Sequence, residues 1–225
     1  MEDKVLKRQI FTPSKLVIET RDNGEGKGKA QKRVITGYAI LFNSPTTLWK
    51  DEEGEAREVI EKEAVTAAFL RDQDIKMTMF HDMTCVLARS KRGSGTLSYT
   101  VDERGVKFEF EVPDTMDGDK AFALVKRGDI DGCSFMFSTR YHDEQYVERK
   151  DSIEKDLLIR TYHVKQIIGI YDFTLTPAPA YEETSCEAVK RSLNDVVQPQ
   201  TDNIDGMWRL QVKEMRENLS HNLII

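Results

Sequence analysis

The amino-acid sequence predicts a β-rich α+β fold, mostly antiparallel and able to close into a small barrel. Three observations carry this reading. Short runs of alternating apolar and polar residues recur along most of the chain, and only two or three short helical patterns fall between them. The βαβ alternation of a doubly wound sheet is missing, as are G-x-G-x-x-G and G-x-x-x-x-G-K-[ST] strings.

The first strand is expected at residues 15–20, KLVIET, followed by a charged, glycine-rich loop, RDNGEGKGKAQK, which has too little apolar surface to pack. Residues 33–43, RVITGYAILFN, are β-branched and aromatic, and they stop at Ser44-Pro45, where proline disfavours a central strand. Residues 61–71, EKEAVTAAFLR, place Ala64, Ala67, Ala68 and Arg71 at helical spacing with two glutamates in the first turn, so a helix of about three turns is expected. Residues 75–82, IKMTMFHD, alternate as a half-buried strand and leave His81 at its exit.

Residues 96–113 give the clearest hairpin: Leu97, Tyr99 and Val101 alternate before the turn at 102–105, and Val106, Phe108, Phe110 and Val112 after it. Residues 117–128 read as a short helix capped by Asp117, with Phe122, Leu124 and Val125 as its apolar contribution. Strand character returns at CSFMFSTRYH from Cys133, breaks at a charged loop over 148–155, and resumes in LLIRTYHVKQIIGIYDFTLTP. Beyond Tyr181 a polar connector leads to a loosely amphipathic helix expected at 206–219, where Met207, Leu210, Val212 and Met215 recur.

Composition narrows the function classes. The 225 residues carry 33 Lys+Arg against 39 Asp+Glu, a net charge of −6, with 39% hydrophobic and 32% charged positions. A chain of this size buries a core without covalent staples. Its basic residues are interleaved with acidic ones, which argues against nucleic-acid binding, since phosphate neutralisation needs clustered cations. Cys85, Cys133 and Cys186 form no C-x-x-C pair, so neither a zinc site nor a disulfide framework is expected, and a reducing cytoplasm is. The start, MEDKVLKRQIF, lacks the apolar core of a signal peptide, and no run approaches the roughly 18 apolar residues of a membrane span. No internal repeat is present.

Four histidines are available: His81, His142, His163 and His221. A histidine on a strand is more often structural than catalytic, but His81 sits where rigid backbone can position a polar ring. In GDIDGCSFMF, Ser134 opens an aromatic strand just after Gly128 and Gly132, glycines that permit close approach of backbone to a reacting carbonyl. The string is not the G-x-S-x-G elbow, and a serine that opens a strand is usually bland. A nucleophilic serine needs a base such as His81, and the base needs a third group to fix its tautomer. Asp172 and His163 are the candidates. Asp172, within the apolar run GIYDFTLTP, is either paired or an outward-facing strand residue. Cys85 and Cys133 are alternative thiol nucleophiles, although each also reads as a small buried hydrophobe, and strand alternation turns Cys133 away from any site that Ser134 faces.

Five motifs then stand in order: ITGYAILFNSPT, MFHD with VLAR downstream, TLSYTVDERGVKFEFEVP, GDIDGCSFMF and YDFTLTPAPAY. Together they span residues 35–181, about two-thirds of the chain. In this order they resemble the prohead maturation proteases of tailed bacteriophages, serine peptidases related to the herpesvirus maturation protease, assemblin. The resemblance implies a small antiparallel β-barrel ringed by short helices. It implies a serine endopeptidase of the host bacterial cytoplasm, enclosed in the immature capsid, that processes the scaffold segment of the major capsid protein or a scaffold protein, and itself. Neither metal nor organic cofactor is implied, nor a nucleic-acid or membrane partner, and a homodimer or higher oligomer inside the prohead is left open.

Carried over by motif, His81 matches the general base and Ser134 the nucleophile. Asp172 matches the acidic third member in type and position, while the herpesvirus relatives, with a histidine there, keep His163 as the alternative. Arg89 of VLAR matches a recurrent arginine, as an oxyanion contact or a packing residue. The implied organisation is an N-terminal strand and mobile loop (1–32), a protease domain (33–182), and a polar tail (183–225) removed by self-cleavage. The competing class is an inactive internal scaffold of the same fold, which would be expected to tolerate loss of His81 or Ser134; both are present.

Overall fold

The computed structural model describes residues 5–12, 15–21, 32–52, 54–155 and 157–177. The expected tail with its helix at 206–219, Cys186, His221, and most of the charged stretch after Arg21 lie outside the described residues. In chain order the strands are β1 (Leu6–Thr12), β2 (Val17–Arg21), β3 (Lys32–Leu41), β4 (Thr46–Lys50) and β5 (Gly54–Ile60). A 3-10 turn (Lys62–Ala64) and helix α1 (Ala67–Arg71) precede β6 (Asp74–Met79), β7 (Asp82–Lys91), β8 (Ser94–Gly95), β9 (Leu97–Val101) and β10 (Gly105–Glu111). Helix α2 (Met116–Arg127) leads into β11 (Gly132–Thr139), β12 (Val147–Glu154), β13 (Leu157–Val164) and β14 (Gly169–Thr176).

The strands form three sheets. The largest runs β1-β11-β14-β6-β7-β8, and the two four-stranded sheets run β2-β3-β10-β9 and β12-β13-β5-β4. Most pairs are antiparallel as expected, but β14–β6 and β13–β5 are parallel, joining strands far apart in sequence. No closed barrel is found among the described residues: each sheet ends in two edge strands, and one core, from Ile10 and Ile35 to Met77, Phe110 and Phe135, is shared between them. No helix among the described residues is long and apolar enough to cross a membrane.

The hairpin of β9 and β10 follows its alternation, with Val106, Phe108 and Phe110 buried and Lys107 and Glu111 exposed. β14 lies between β11 and β6, and six of its eight residues are buried, as expected of an interior strand covered on both faces.

Several elements correct the sequence reading. The helix expected over 61–71 splits into the 3-10 turn and the five-residue α1, because β-branched Val65 and Thr66 are extended; Thr66 then caps α1 by accepting from the Phe69 N–H at 3.1 Å. The cap of α2 is Thr115, not Asp117: its hydroxyl accepts from the Gly118 N–H at 3.1 Å, and Asp117 and Asp119 occupy the first turn. The helix ends at Gly128 in the left-handed region, φ 82°. The charged loop expected over 148–155 is instead β12, an edge strand whose exposed charges suit an edge exposed to other chains. β1, β4, β5, β7 and β8 had no counterpart in the sequence reading.

Candidate active site

Three neighbouring strands of the large sheet, β11, β14 and β6, carry the site. Ser134 on β11 lies directly opposite Thr174 on β14, and Met136 opposite Asp172. Across the parallel pairing, Asp172 adjoins Lys76 and Thr174 adjoins Thr78. Directly paired residues share a face, so Ser134, Asp172, Thr174 and Thr78 project to the same side of the sheet. Cys133 projects to the other side, fully buried.

His81 enters from the turn that joins β6 to β7. Met79 pairs with Asp82, so Phe80 and His81 form a two-residue hairpin connection, and both have positive φ, 54° and 58°. That is the backbone a type I′ turn demands, usually met by Asn-Gly. Strand β14 holds this turn from below: the Phe80 N–H donates to the Leu175 carbonyl at 3.2 Å, and the His81 N–H donates to Thr174 Oγ1 at 2.9 Å.

The imidazole then spans the other two groups. His81 Nδ1 lies 2.9 and 3.1 Å from the two Asp172 carboxylate oxygens, and His81 Nε2 lies 2.9 Å from Ser134 Oγ. A carboxylate can only accept, so Nδ1 carries the proton and Nε2 presents its lone pair to the serine hydroxyl. Asp172 is fully buried and its Oδ1 also accepts from the Met136 N–H at 3.2 Å, which answers the choice between a paired and an outward-facing carboxylate. Ser134 is 5% exposed and the His81 side chain 14%, so the pair is nearly closed off from solvent.

The other residues singled out in the sequence lie elsewhere. His163 is on β13, in a different sheet, with Nδ1 3.2 Å from Glu61 Oε1. Arg89 spends its guanidinium on Asp74, with Nε and Nη2 at 2.7 and 2.5 Å, and this pairing lowers the Asp74 carboxyl to about 2. Burial pushes the Cys133 thiol far up, and burial with nearby Asp117 pushes Cys85 up, the opposite of a thiolate nucleophile. Gly132, expected to open space for a substrate carbonyl, instead makes room for the Phe11 ring of β1. The sequence reading gave Thr78 and Thr174 no role and did not foresee β1; Thr78, a polar position of a strand expected to be half-buried, is fully buried, and the one available signal was Asp172, Thr174 and Thr176 recurring at period two within an apolar strand. No group of three or more His, Cys, Asp or Glu among the described residues could hold a metal ion.

A hydroxyl, an imidazole and a buried carboxylate in series are the parts of a serine hydrolase. The caudovirus prohead serine protease family matches residues 16–199, more than half the chain, and the protein belongs to that family: it is a phage prohead serine protease. Among solved structures, the bacteriophage T4 capsid assembly protease, gp21, is similar at 10% identity with a TM-score of 0.43, over 75% of this chain and 98% of that one. No curated protein matches.

Proposed function

We propose that Ser134 is the nucleophile, His81 the general base and Asp172 the group that orients it, in an endopeptidase acting inside the immature capsid. Its substrates are the scaffold segment of the major capsid protein or a scaffold protein, and its own chain, with the 183–225 tail as the self-cleaved segment. The observation that carries this reading is the imidazole held between Asp172 and Ser134 with both contacts at 2.9 Å.

His81 Nε2 takes the Ser134 proton as Oγ attacks the scissile carbonyl carbon, and the oxyanion intermediate collapses as the imidazolium returns that proton to the leaving amine. The acyl-enzyme is hydrolysed by water in the same way, His81 taking the water proton and returning it to Ser134. Asp172 stabilises the imidazolium in both halves without itself being protonated. Enclosure with the substrate raises its effective concentration with no new contact, so a slow free enzyme is consistent with the assignment.

The test is co-expression with the cognate capsid protein, with and without Ser134→Ala, followed by intact-mass measurement. Removal of a capsid-protein segment by the native chain and not by the variant supports the reading. Equal processing by both removes Ser134 as nucleophile, and well-formed shells without processing by either favour the inactive scaffold.

A further inference from the structure

The left-handed turn at Phe80-His81 is an unfavourable place for a residue with a bulky side chain, and such a conformation persists only where its surroundings hold it. The Phe80 N–H meets a main-chain carbonyl, whereas the His81 N–H meets a side chain, Thr174 Oγ1. Thr174 is fully buried, and Thr78 Oγ1, also fully buried, donates to it at 2.9 Å. Two fully buried hydroxyls on neighbouring strands need a reason: valine has the same shape, forms strands as readily and loses no hydration on burial.

We propose that Thr174 is a positioning residue for His81. Asp172 and Thr174, two residues apart on the same face of β14, hold the base at two points: the carboxylate fixes the ring, and the hydroxyl fixes the main chain from which the ring hangs. Thr78 orients that hydroxyl. Loss of the hydroxyl leaves the His81 N–H without an acceptor and frees the turn to move, carrying Nε2 out of line with Ser134 Oγ. Misplacement by about 1 Å is enough to cost on the order of 100-fold in rate.

The inference rests on the assignment of His81 and Ser134 given above, and the experiment separates the two. The full chain is labelled with a fluorophosphonate probe, the labelled residue is mapped, and the limiting labelling rate is resolved from probe affinity. Thr174→Val is expected to slow the limiting rate by on the order of 100-fold while affinity stays within about twofold. Thr174→Ser, which keeps the hydroxyl, is expected within about threefold of the native rate, and Thr78→Val is expected between the two. Should Thr174→Val fold poorly, Thr174→Ala against Thr174→Ser isolates the hydroxyl, with Ala slow and Ser fast. A native rate in Thr174→Val, or Ser as slow as Val or Ala, overturns the inference, the second outcome marking a packing role for the methyl. Labelling that survives Ser134→Ala or is indifferent to His81→Ala sinks the triad assignment itself.

Discussion

Ser134 faces Thr174 directly across the β11–β14 ladder, and this single register places Asp172, two residues earlier on β14, on the same face as the serine. A slip of one residue in that pairing turns Asp172 away from the serine's side, because side chains alternate between faces. The geometry of the site is therefore a consequence of sheet register.

Asp172→Asn keeps the shape of the side chain but removes the charge that opposes the imidazolium. With its amide oxygen in place of Oδ1, where both Nδ1 and the Met136 N–H point, it sets an NH2 in place of Oδ2, so a donor faces the Nδ1–H. Processing by this variant is expected to fall by about 10³–10⁴-fold, measured by the rate at which capsid-protein mass changes on co-expression. Near-native processing would remove Asp172 from the orienting role.

Both described cysteines have thiols shifted away from the reactive form. Cys85→Ser and Cys133→Ala are each expected to retain activity within about twofold, and iodoacetamide is expected to leave processing unaffected. Inactivation by the reagent that either substitution prevents would restore the cysteine alternative.

Arg8 on β1 and Glu58 on β5 are both buried, with Arg8 Nε 4.0 Å from Glu58 Oε1, which also accepts from the Tyr141 hydroxyl. Burial raises the Glu58 pKa and Arg8 opposes that rise. Arg8→Met removes the opposing charge, so the folded-state pKa climbs further above the unfolded value. A carboxyl raised in this way contributes fully below the unfolded pKa and is increasingly unfavourable as pH rises through the folded one. Arg8→Met is therefore expected to lose about 3–5 kcal/mol at neutral pH, with the deficit shrinking as pH falls towards 4.5. Arg8→Met combined with Glu58→Leu and Tyr141→Phe, which leaves no buried donor without an acceptor, is expected to recover most of the loss. Urea unfolding at several pH values checks both, and a pH-independent deficit would contradict the account.

Gly132 stands two residues before Ser134, and a Cβ there would overlap the Phe11 ring, while Phe11 itself is paired with Ser134. Gly132→Ala is expected to cost about 1–3 kcal/mol by displacing β1 from β11. Adding Phe11→Ala should relieve the overlap, so the double variant is expected to be less destabilised than the sum of the single ones. Additive thermal shifts would mean that the ring moves aside freely.

Much of the fold was legible where local pattern and final environment agree. The β9–β10 hairpin, the apolar runs of β3 and β14 and the stop of α2 at Gly128 all follow period or turn chemistry. β5, GEAREVI, was missed because its burial depends on remote partners: Glu58 is buried against Arg8 and Tyr141, and Arg57 bridges Glu55 and Glu154. β12 was missed because an exposed edge strand has the composition of a loop.

The amino-acid sequence by itself determined the β-rich class, the family motifs and the identity of the polar residues held at strand ends or inside apolar runs, His81, Ser134 and Asp172 among them. Only the tertiary structure decided that His81 meets a carboxylate 91 residues away and a hydroxyl 53 residues away, that β6 and β14 run parallel, and that a buried threonine takes the histidine's own N–H. Alternation records which side chains are buried, but the register between strands so far apart is chosen by packing and hydrogen bonding across the sheet, which no local window contains.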